Sequence, residues 1–408
     1  MKKGWQIKTL GEIIEKTETI NPLQNPKAEF DYIDVSSVSN TTFEIGEIQR
    51  IKGKDAPSRA RKMVRTNDII FATIRPTLQR IAVVPERLDK QVCSTGYFVL
   101  RPKRGMDHRF LFYSLFTENF IGQMEVLQKG ASYPAVTDGD VRAQEIPVPP
   151  IDEQKRIVTV LDEAFLGIAT AKCNAETNLR NARAIFESQL QSVFTQHGKT
   201  WKQKTLAEIA TTFGRGKSKH RPRNAPHLYG GKYPFVQTGD IRNADHVITE
   251  YAQTYSKAGL AQSKLWPKGT ICITIAANIA ETAILGFDAC FPDSVIGLVA
   301  NPKEADVGFI EYLLQSFKVR IQSMGKGSAQ DNINMGTFEN ERFPFPPVNE
   351  QQRIVAVLDA LSAETQRLVS IYERKRDTLD GLKKSLLHSA FRGELTARET
   401  TKSVESAA

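Results

Sequence analysis

The sequence predicts an α+β protein built from one unit used twice: two strand-rich domains separated by two long antiparallel coiled-coil helices, with an internal pseudo-two-fold repeat. The first observation behind this is textual. Pro149-Pro150-Ile151-Asp152-Glu153-Gln154-Lys155-Arg156-Ile157-Val158-Thr159-Val160-Leu161-Asp162 returns as Pro346-Pro347-Val348-Asn349-Glu350-Gln351-Gln352-Arg353-Ile354-Val355-Ala356-Val357-Leu358-Asp359. The register is constant, because Arg353 and Arg156, Leu358 and Leu161, and Phe391 and Phe194 all differ by 197. Self-similarity at a fixed offset governs the reading of everything local. The second observation is the apolar spacing that follows each copy of this text. The third is charge: the chain of 408 residues is formally +9, yet 151–198 holds five basic and six acidic side chains and 348–408 holds ten and nine. The surplus therefore lies wholly outside those stretches, as expected if the remaining segments face a polyanion.

The first domain, residues 1–148, opens with Trp5-Gln6-Ile7-Lys8-Thr9-Leu10-Gly11-Glu12-Ile13, and the second, 199–345, opens with Trp201-Lys202-Gln203-Lys204-Thr205-Leu206-Ala207-Glu208-Ile209. Both then carry short apolar runs bounded by turn residues, which read as strands. Tyr32-Ile33-Asp34-Val35-Ser36 answers to Phe235-Val236-Gln237-Thr238-Gly239, and Asn67-Asp68-Ile69-Ile70-Phe71-Ala72 to Lys268-Gly269-Thr270-Ile271-Cys272-Ile273. A third run ends in Arg101-Pro102-Lys103 or Asn301-Pro302-Lys303. A short helix is predicted around Phe110–Phe120 and around Phe309–Ser323. Each is followed by a glycine-led loop, Lys129-Gly130-Ala131-Ser132-Tyr133 or Lys326-Gly327-Ser328-Ala329-Gln330.

Helical spacers at 149–198 and 346–396 follow, and 397–408 reads as a disordered tail. Ile157, Leu161, Ala164, Ile168, Ala171, Ala175, Ala182 and Ile185 form one apolar stripe; Ile354, Leu358, Leu361, Leu368, Tyr372, Leu379, Leu382 and Leu386 form the other. Steps of three and four make coiled-coil seams. Helices of about 40 residues would be roughly 60 Å long, more than a single domain covers. The expectation is that they pair with each other as a rod. Asp152 and Asn349 are expected as N-terminal caps, with acidic residues of the first turn suiting the helix dipole.

Composition excludes several classes. No apolar run approaches the roughly 20 residues that span a bilayer, and Met1-Lys2-Lys3-Gly4-Trp5-Gln6 leads into polar sequence, so a cytoplasmic protein is expected. Cys93, Cys173, Cys272 and Cys290 lie far apart without metal-ligand spacing and read as reduced thiols. Gly214-Arg215-Gly216-Lys217-Ser218 ends like a phosphate loop, but Thr211 stands where the first glycine is required. Phe213-Gly214-Arg215-Gly216 has the look of a methyl-donor loop but follows Thr211-Thr212 instead of a clear strand, and no Asn/Asp-Pro-Pro-Tyr partner exists. The six histidines show no paired metal spacing. No catalytic residue and no metal site is assigned.

The twice-used Pro-Pro-x-x-Glu-Gln-x-Arg-Ile-Val-x-Val-Leu-Asp start, the Trp-x-x-x-x-Leu-x-Glu-Ile opening and Ser389-Ala390-Phe391-Arg392-Gly393-Glu394-Leu395-Thr396 together resemble the DNA-specificity subunit of Type I restriction-modification systems. The resemblance covers essentially the whole chain. It implies two target-recognition domains, each reading half of a split site in double-stranded DNA, and no catalytic centre. It further implies two methyltransferase subunits and restriction/motor subunits as partners. S-adenosylmethionine, ATP and Mg are then expected on those partners and no cofactor on this chain. The docking residues for the methyltransferase are not given by the resemblance.

Candidate DNA contacts follow from side-chain chemistry: arginine can bind guanine in bidentate fashion, lysine mainly meets phosphate, and amides can pair with adenine. In the first domain these are Arg59, Arg61 and Lys62, Arg75 and Arg80 flanking Pro76-Thr77-Leu78-Gln79, and Ser132 and Tyr133. In the second, Arg215, Lys217, Lys219, Arg221 and Arg223 crowd together with His220, followed by Arg242 and Asn243. Asn278, Lys326, Gln330 and Asn332 complete the set. For any one loop cation, a solvated surface is the competing reading. Two other functions stay open on sequence alone: a standalone DNA methyltransferase or nuclease with unrecognised motifs, and a coiled-coil adaptor that binds only protein. Charge confined to the domains argues against the adaptor.

Overall fold

Each opening segment is a strand that closes its domain by pairing with the exit. In the computed structural model, which describes residues 4–196, 200–219, 222, 224–276, 278–325, 333, 335–339 and 341–396, Gln6–Thr9 runs antiparallel to Glu145–Val148. Lys202–Lys204 runs antiparallel to Phe343–Phe345 in the same way. The chain divides into two compact units, Met1–Glu176 with Arg374–Ala408, and Thr177–Glu373. The long helices, Ile151–Thr195 and Val348–Phe391, both cross that division, so each unit holds part of each.

The first unit contains two four-stranded sheets. One, wholly antiparallel, runs in the order Ile14–Glu15, Tyr97–Pro102, Ile69–Ala72, Ile81–Val83. The other runs Gln49–Lys52, Glu29–Ile33, Val92–Ser94, Ala60–Met63, with its central pair parallel. Fully apolar central strands such as Ile69–Ala72 are buried throughout because both faces are covered. The second unit holds a five-stranded sheet, Ala210–Arg215, Val295–Ala300, Ile271–Thr274, Thr282–Leu285, Val247–Ile248, and a ribbon of Tyr229–Phe235 with Gln253–Tyr255.

Within each unit the two helical segments lie antiparallel. In the first, Lys172 Nζ meets Asp380 at 2.7 Å while Thr396 meets Glu153, so rising numbers on one segment face falling numbers on the other. In the second, Arg183 pairs with Glu373 at 3.5 Å, and Leu190 and Phe194 share a core with Leu358. The first seam is as expected at Leu161, Ile168, Ala175 and Ala182, all buried and seven residues apart. It departs at Ile185, which is 56% exposed and gives its place to Phe186. On the second helix Leu382 is 45% exposed, and Leu386 and Leu387 face the first unit's core instead.

Several expectations need correction. The helices begin at Ile151 and Val348, so Asp152 and Asn349 stand inside the first turn and cannot be caps. The carbonyls of Pro150 and Pro347 receive the first helical N–H groups. The helix expected around Phe110–Phe120 is two helices, His108–Ser114 and Glu118–Leu127, because the Thr117 hydroxyl caps a new start. The one around Phe309–Ser323 likewise divides into Val307–Ser316 and Lys318–Gly325. Thr211 and Thr212 do lie in a strand, Ala210–Arg215. A Cβ at Gly216 would meet the Phe291 and Pro292 carbonyls at 2.4 and 2.3 Å, so that glycine serves internal packing. The tail 397–408 lies outside the described residues. All four cysteines are free, and burial pushes the Cys93 thiol up to about 12.

Candidate nucleic-acid interface

The repeated Glu-Gln text builds a frame. Gln154 is fully buried: its Oε1 accepts the Asp107 N–H at 2.8 Å, and its Nε2 donates to the Pro149 and Gly105 carbonyls at 2.8 and 3.2 Å. Gln351 is equally buried and repeats all three bonds with Asp306, Pro346 and Glu304 at 2.8, 2.8 and 3.2 Å. A side-chain amide accepts through its oxygen and donates two hydrogens from its nitrogen, which matches these three bonds and explains the residue type. Asp107 and Asp306 in turn cap the next helix in their units. About two turns further along the long helices, Asp162 accepts the Tyr113 hydroxyl and Asp359 accepts that of Tyr312. Burial and these carboxylates push both phenols above their ordinary values. Each long helix is thereby locked to its domain by the same contacts.

On this common frame the loops differ. In the first unit, Arg75, Ser132 and Tyr133 are brought together. Arg75 sits in the left-handed region (φ 50°), and its N–H donates to the Pro134 carbonyl at 2.7 Å. Its guanidinium lies 5.6 Å over the Tyr133 ring and within 3.5 Å of the Ser132 carbonyl. Tyr133 is 74% exposed. Gly130 has φ 101°, and a Cβ there would press on the Tyr133 carbonyl at 3.0 Å, so the turn needs glycine. Arg59 is exposed and makes no ion pair among the described residues. Its carbonyl accepts the Thr95 N–H, and the adjacent Gly96 carbonyl accepts Thr73, so backbone bonds carry the Arg59 loop to the same strand ends.

Three candidates of this unit are partly buried and bonded within the protein. Lys62 is half-buried, paired with Asp138 at 2.8 Å and bonded to the Tyr97 carbonyl at 2.7 Å. Arg80 Nη1 donates to the Val38 carbonyl at 2.5 Å and reaches those of Val35 and Ser36. Arg61 donates to Asn21 Oδ1 at 2.8 Å. Lys62, held by a carboxylate and a carbonyl, and Arg80, held by three carbonyls, are thus engaged within the fold and less available to a ligand than the exposed Arg59.

In the second unit, Arg242 and Asn243 end the short helix Thr238–Asn243, and Arg242 Nη1 approaches Asn278 Oδ1 at 3.5 Å. Asn278 follows the strand Ile271–Thr274 as Arg75 follows Ile69–Ala72, so these two candidates lie in equivalent loops of the two units. Arg215 is exposed, with Nε on the Asp293 carbonyl at 2.7 Å; Lys217 and Lys219 are exposed beyond it. Arg221, Arg223, Lys326, Gln330 and Asn332 lie outside the described residues.

Sequence reasoning missed Lys264. The Ser263 hydroxyl donates to the Lys217 carbonyl at 2.8 Å, which sets Lys264 beside Lys217, and the Lys264 ammonium lies 3.5 Å over the Trp266 ring. Burial, then the Lys217 charge, lowers the Lys264 pKa. A paired lysine site without a carboxylate among its influences suits a phosphate. A lone lysine between Ser263 and Leu265 carries no signal for this; only the fold brings Lys217 to it. Also missed was the amide pair Gln237 Nε2 to Gln253 Oε1, 2.7 Å. Among the described residues, no group of three or more histidine, cysteine or acidic side chains could hold a metal, and no helix is long and apolar enough to cross a membrane.

A duplicated internal frame under unlike, cation-bearing loops defines a class: a modular binding protein with one recognition face per unit. The chain belongs to the Type I restriction modification DNA specificity family, whose domain matches residues 2–176 and again 198–372. It is thus a non-catalytic DNA-specificity subunit, and nothing supports a standalone enzyme. It is 22% identical to the Type I restriction enzyme EcoKI specificity subunit of Escherichia coli K12, over 98% of this chain and 90% of that one. It is 29% identical to the HsdS subunit from Thermoanaerobacter tengcongensis, with TM-score 0.69 over 97% of this chain and 98% of that one. A chain from a structure of complex assembly and conformational transition in the type I R-M system is also 29% identical, with TM-score 0.85 over 97% and 99%.

Proposed function

We propose that this specificity subunit reads a bipartite target in double-stranded DNA, one half-site for each unit, within a Type I restriction-modification complex. In that complex two methyltransferase subunits and the restriction/motor subunits join it. S-adenosylmethionine, ATP and Mg belong to those partners, and this chain binds none of them. The observation that carries the reading is the pairing of an identical frame with different faces. Gln154 and Gln351 make the same bonds, while the loops above them differ: Arg75 lies over Tyr133 in one unit and Arg242 approaches Asn278 in the other. Phosphate contacts would set register, and arginine and amide contacts to base edges would specify.

The test is to map methylated adenines in a host carrying this chain with its neighbouring subunits. A split motif, lost when this chain is deleted, is the expected result. A continuous motif, or methylation by the purified chain alone, would overturn the reading.

A further inference from the structure

We propose that His246 is a positioning residue that holds the short helix Thr238–Asn243 of the second unit in its DNA-reading attitude, and that it does so as the imidazolium. The inference rests on the functional reading above.

The backbone at His246 is under strain. Its φ is 64°, and the Val247 N–H donates to the Asp245 carbonyl at 2.7 Å, a γ-turn of the rare positive-φ kind. Non-glycine residues persist in such a conformation only when their surroundings hold them there. Here the ring is the hold. It stacks on Tyr312 with centroids 4.6 Å apart and planes 22° apart, and Nδ1 lies 2.5 Å from Glu311 Oε2. Glu311 is fully buried, and its other oxygen accepts from Gln315 Nε2 at 2.6 Å and Thr282 Oγ1 at 3.1 Å. A buried carboxylate satisfied by neutral donors on one oxygen calls for a cation on the other.

Only Ala244 and Asp245 separate His246 from Asn243, and the Ala244 N–H still bonds back to the Ile241 carbonyl at 3.3 Å. The strained turn is therefore the stop against which the helix bearing Arg242 and Asn243 is set. The charged and titratable groups around the ring come from every packed element. Glu311 and Tyr312 face it from Val307–Ser316, Asp245 from its own turn, Asp359 from the second long helix, and Arg183 and Glu187 from the first. Burial lowers the His246 pKa, but Glu311, then Asp359 and Asp245, outweigh it and lift the pKa above its ordinary 6.5. A group whose folded pKa is raised contributes fully below its unfolded value and loses that contribution as pH rises through the folded one. Among its described residues the first unit has no counterpart of this pair. There Phe112, next to Tyr113, stands where Glu311 stands next to Tyr312.

The experiment measures affinity of the full chain for its mapped target, and for targets substituted in one half-site, from pH 6 to 9. The half-site belonging to the second unit is assigned beforehand by exchanging residues 199–345. Discrimination at that half-site should hold at low pH and fall as pH rises, by no more than about tenfold per pH unit since one proton is involved. Discrimination at the other half-site should stay constant. Glu311→Gln should move the midpoint to lower pH and His246→Gln should flatten the profile, with thermal unfolding followed to confirm that both fold. A flat wild-type profile at the second half-site, or an unchanged profile in His246→Gln, overturns the proposal. Loss of sequence discrimination at both half-sites at every pH would instead sink the functional reading on which it rests.

Discussion

Thr396 Oγ1 donates to Glu153 Oε1 at 2.5 Å, across 243 positions of sequence. The far end of the chain is thereby seated on the start of the first long helix, with Phe391 tilted on Phe110 at 4.9 Å and Leu387 and Ala390 buried beside it. In the second unit Glu350 accepts from Trp201 Nε1 at 3.0 Å, and Phe194 packs on Phe309 at 5.3 Å. The same two positions are filled from different parts of the chain. Phe391→Ala should destabilise the first unit by about 3–5 kcal/mol. Denaturant unfolding with a reporter in each unit checks this; a loss below about 1 kcal/mol, or one equal in both units, would show that the C-terminal segment is not part of the first unit's core.

Gln154→Leu and Gln351→Leu keep the volume but strand one N–H and two carbonyls each. At 1–3 kcal/mol for each buried group left unpaired, three groups give about 3–9 kcal/mol per variant, toward the lower end where water reaches the carbonyl of an exposed residue such as Gly105. Hydrogen exchange should show protection falling around Asp107 in the first variant and around Asp306 in the second. Fully retained protection in either would mean that the amide is not the lock.

Arg75→Lys should reduce preference for the cognate base pair by about 1–3 kcal/mol, because the ammonium cannot make the bidentate contact. Lys264→Gln should act differently, weakening all sequences alike and lowering the salt slope of log K by about 1. Filter binding across a salt series separates the two. An Arg75 variant that loses affinity without losing preference would place that side chain on phosphate.

Exchanging residues 1–148 for those of a relative should change one half of the methylated motif and leave the other intact. Sequencing of the modified genome reads the result directly; alteration of both halves would show that the units do not read separately.

The repeat, the matching opening segments, the two long helices and the basic loops were legible because each is a local pattern: an offset, a period or a density of charge. What was illegible depends on distant partners. Lys62 and Arg80 look like loop cations until Asp138 and the Val38 carbonyl arrive from elsewhere in the fold. Gln154 lies within the repeated text, yet its role needs Asp107 and Gly105 to be folded against it. His246 gave no signal at all, since a histidine at positive φ is made tolerable only by Glu311 and Tyr312 on another helix. Asp152 and Asn349 misled because polar residues just after Pro-Pro have the composition of caps, whereas the chain enters the helix two residues sooner.

That one unit is assembled from both ends of the chain sets an order of events on the ribosome. Residues of the second unit, 177–373, are contiguous and can condense as soon as they emerge, as domains made in vectorial synthesis do. The first unit begins earlier but finishes later, because Leu387, Ala390 and Phe391 are among the last described residues to be translated. Until they arrive, the core around Phe110 lacks its C-terminal wall, so a chain cut short of Phe391 should complete its second unit before its first.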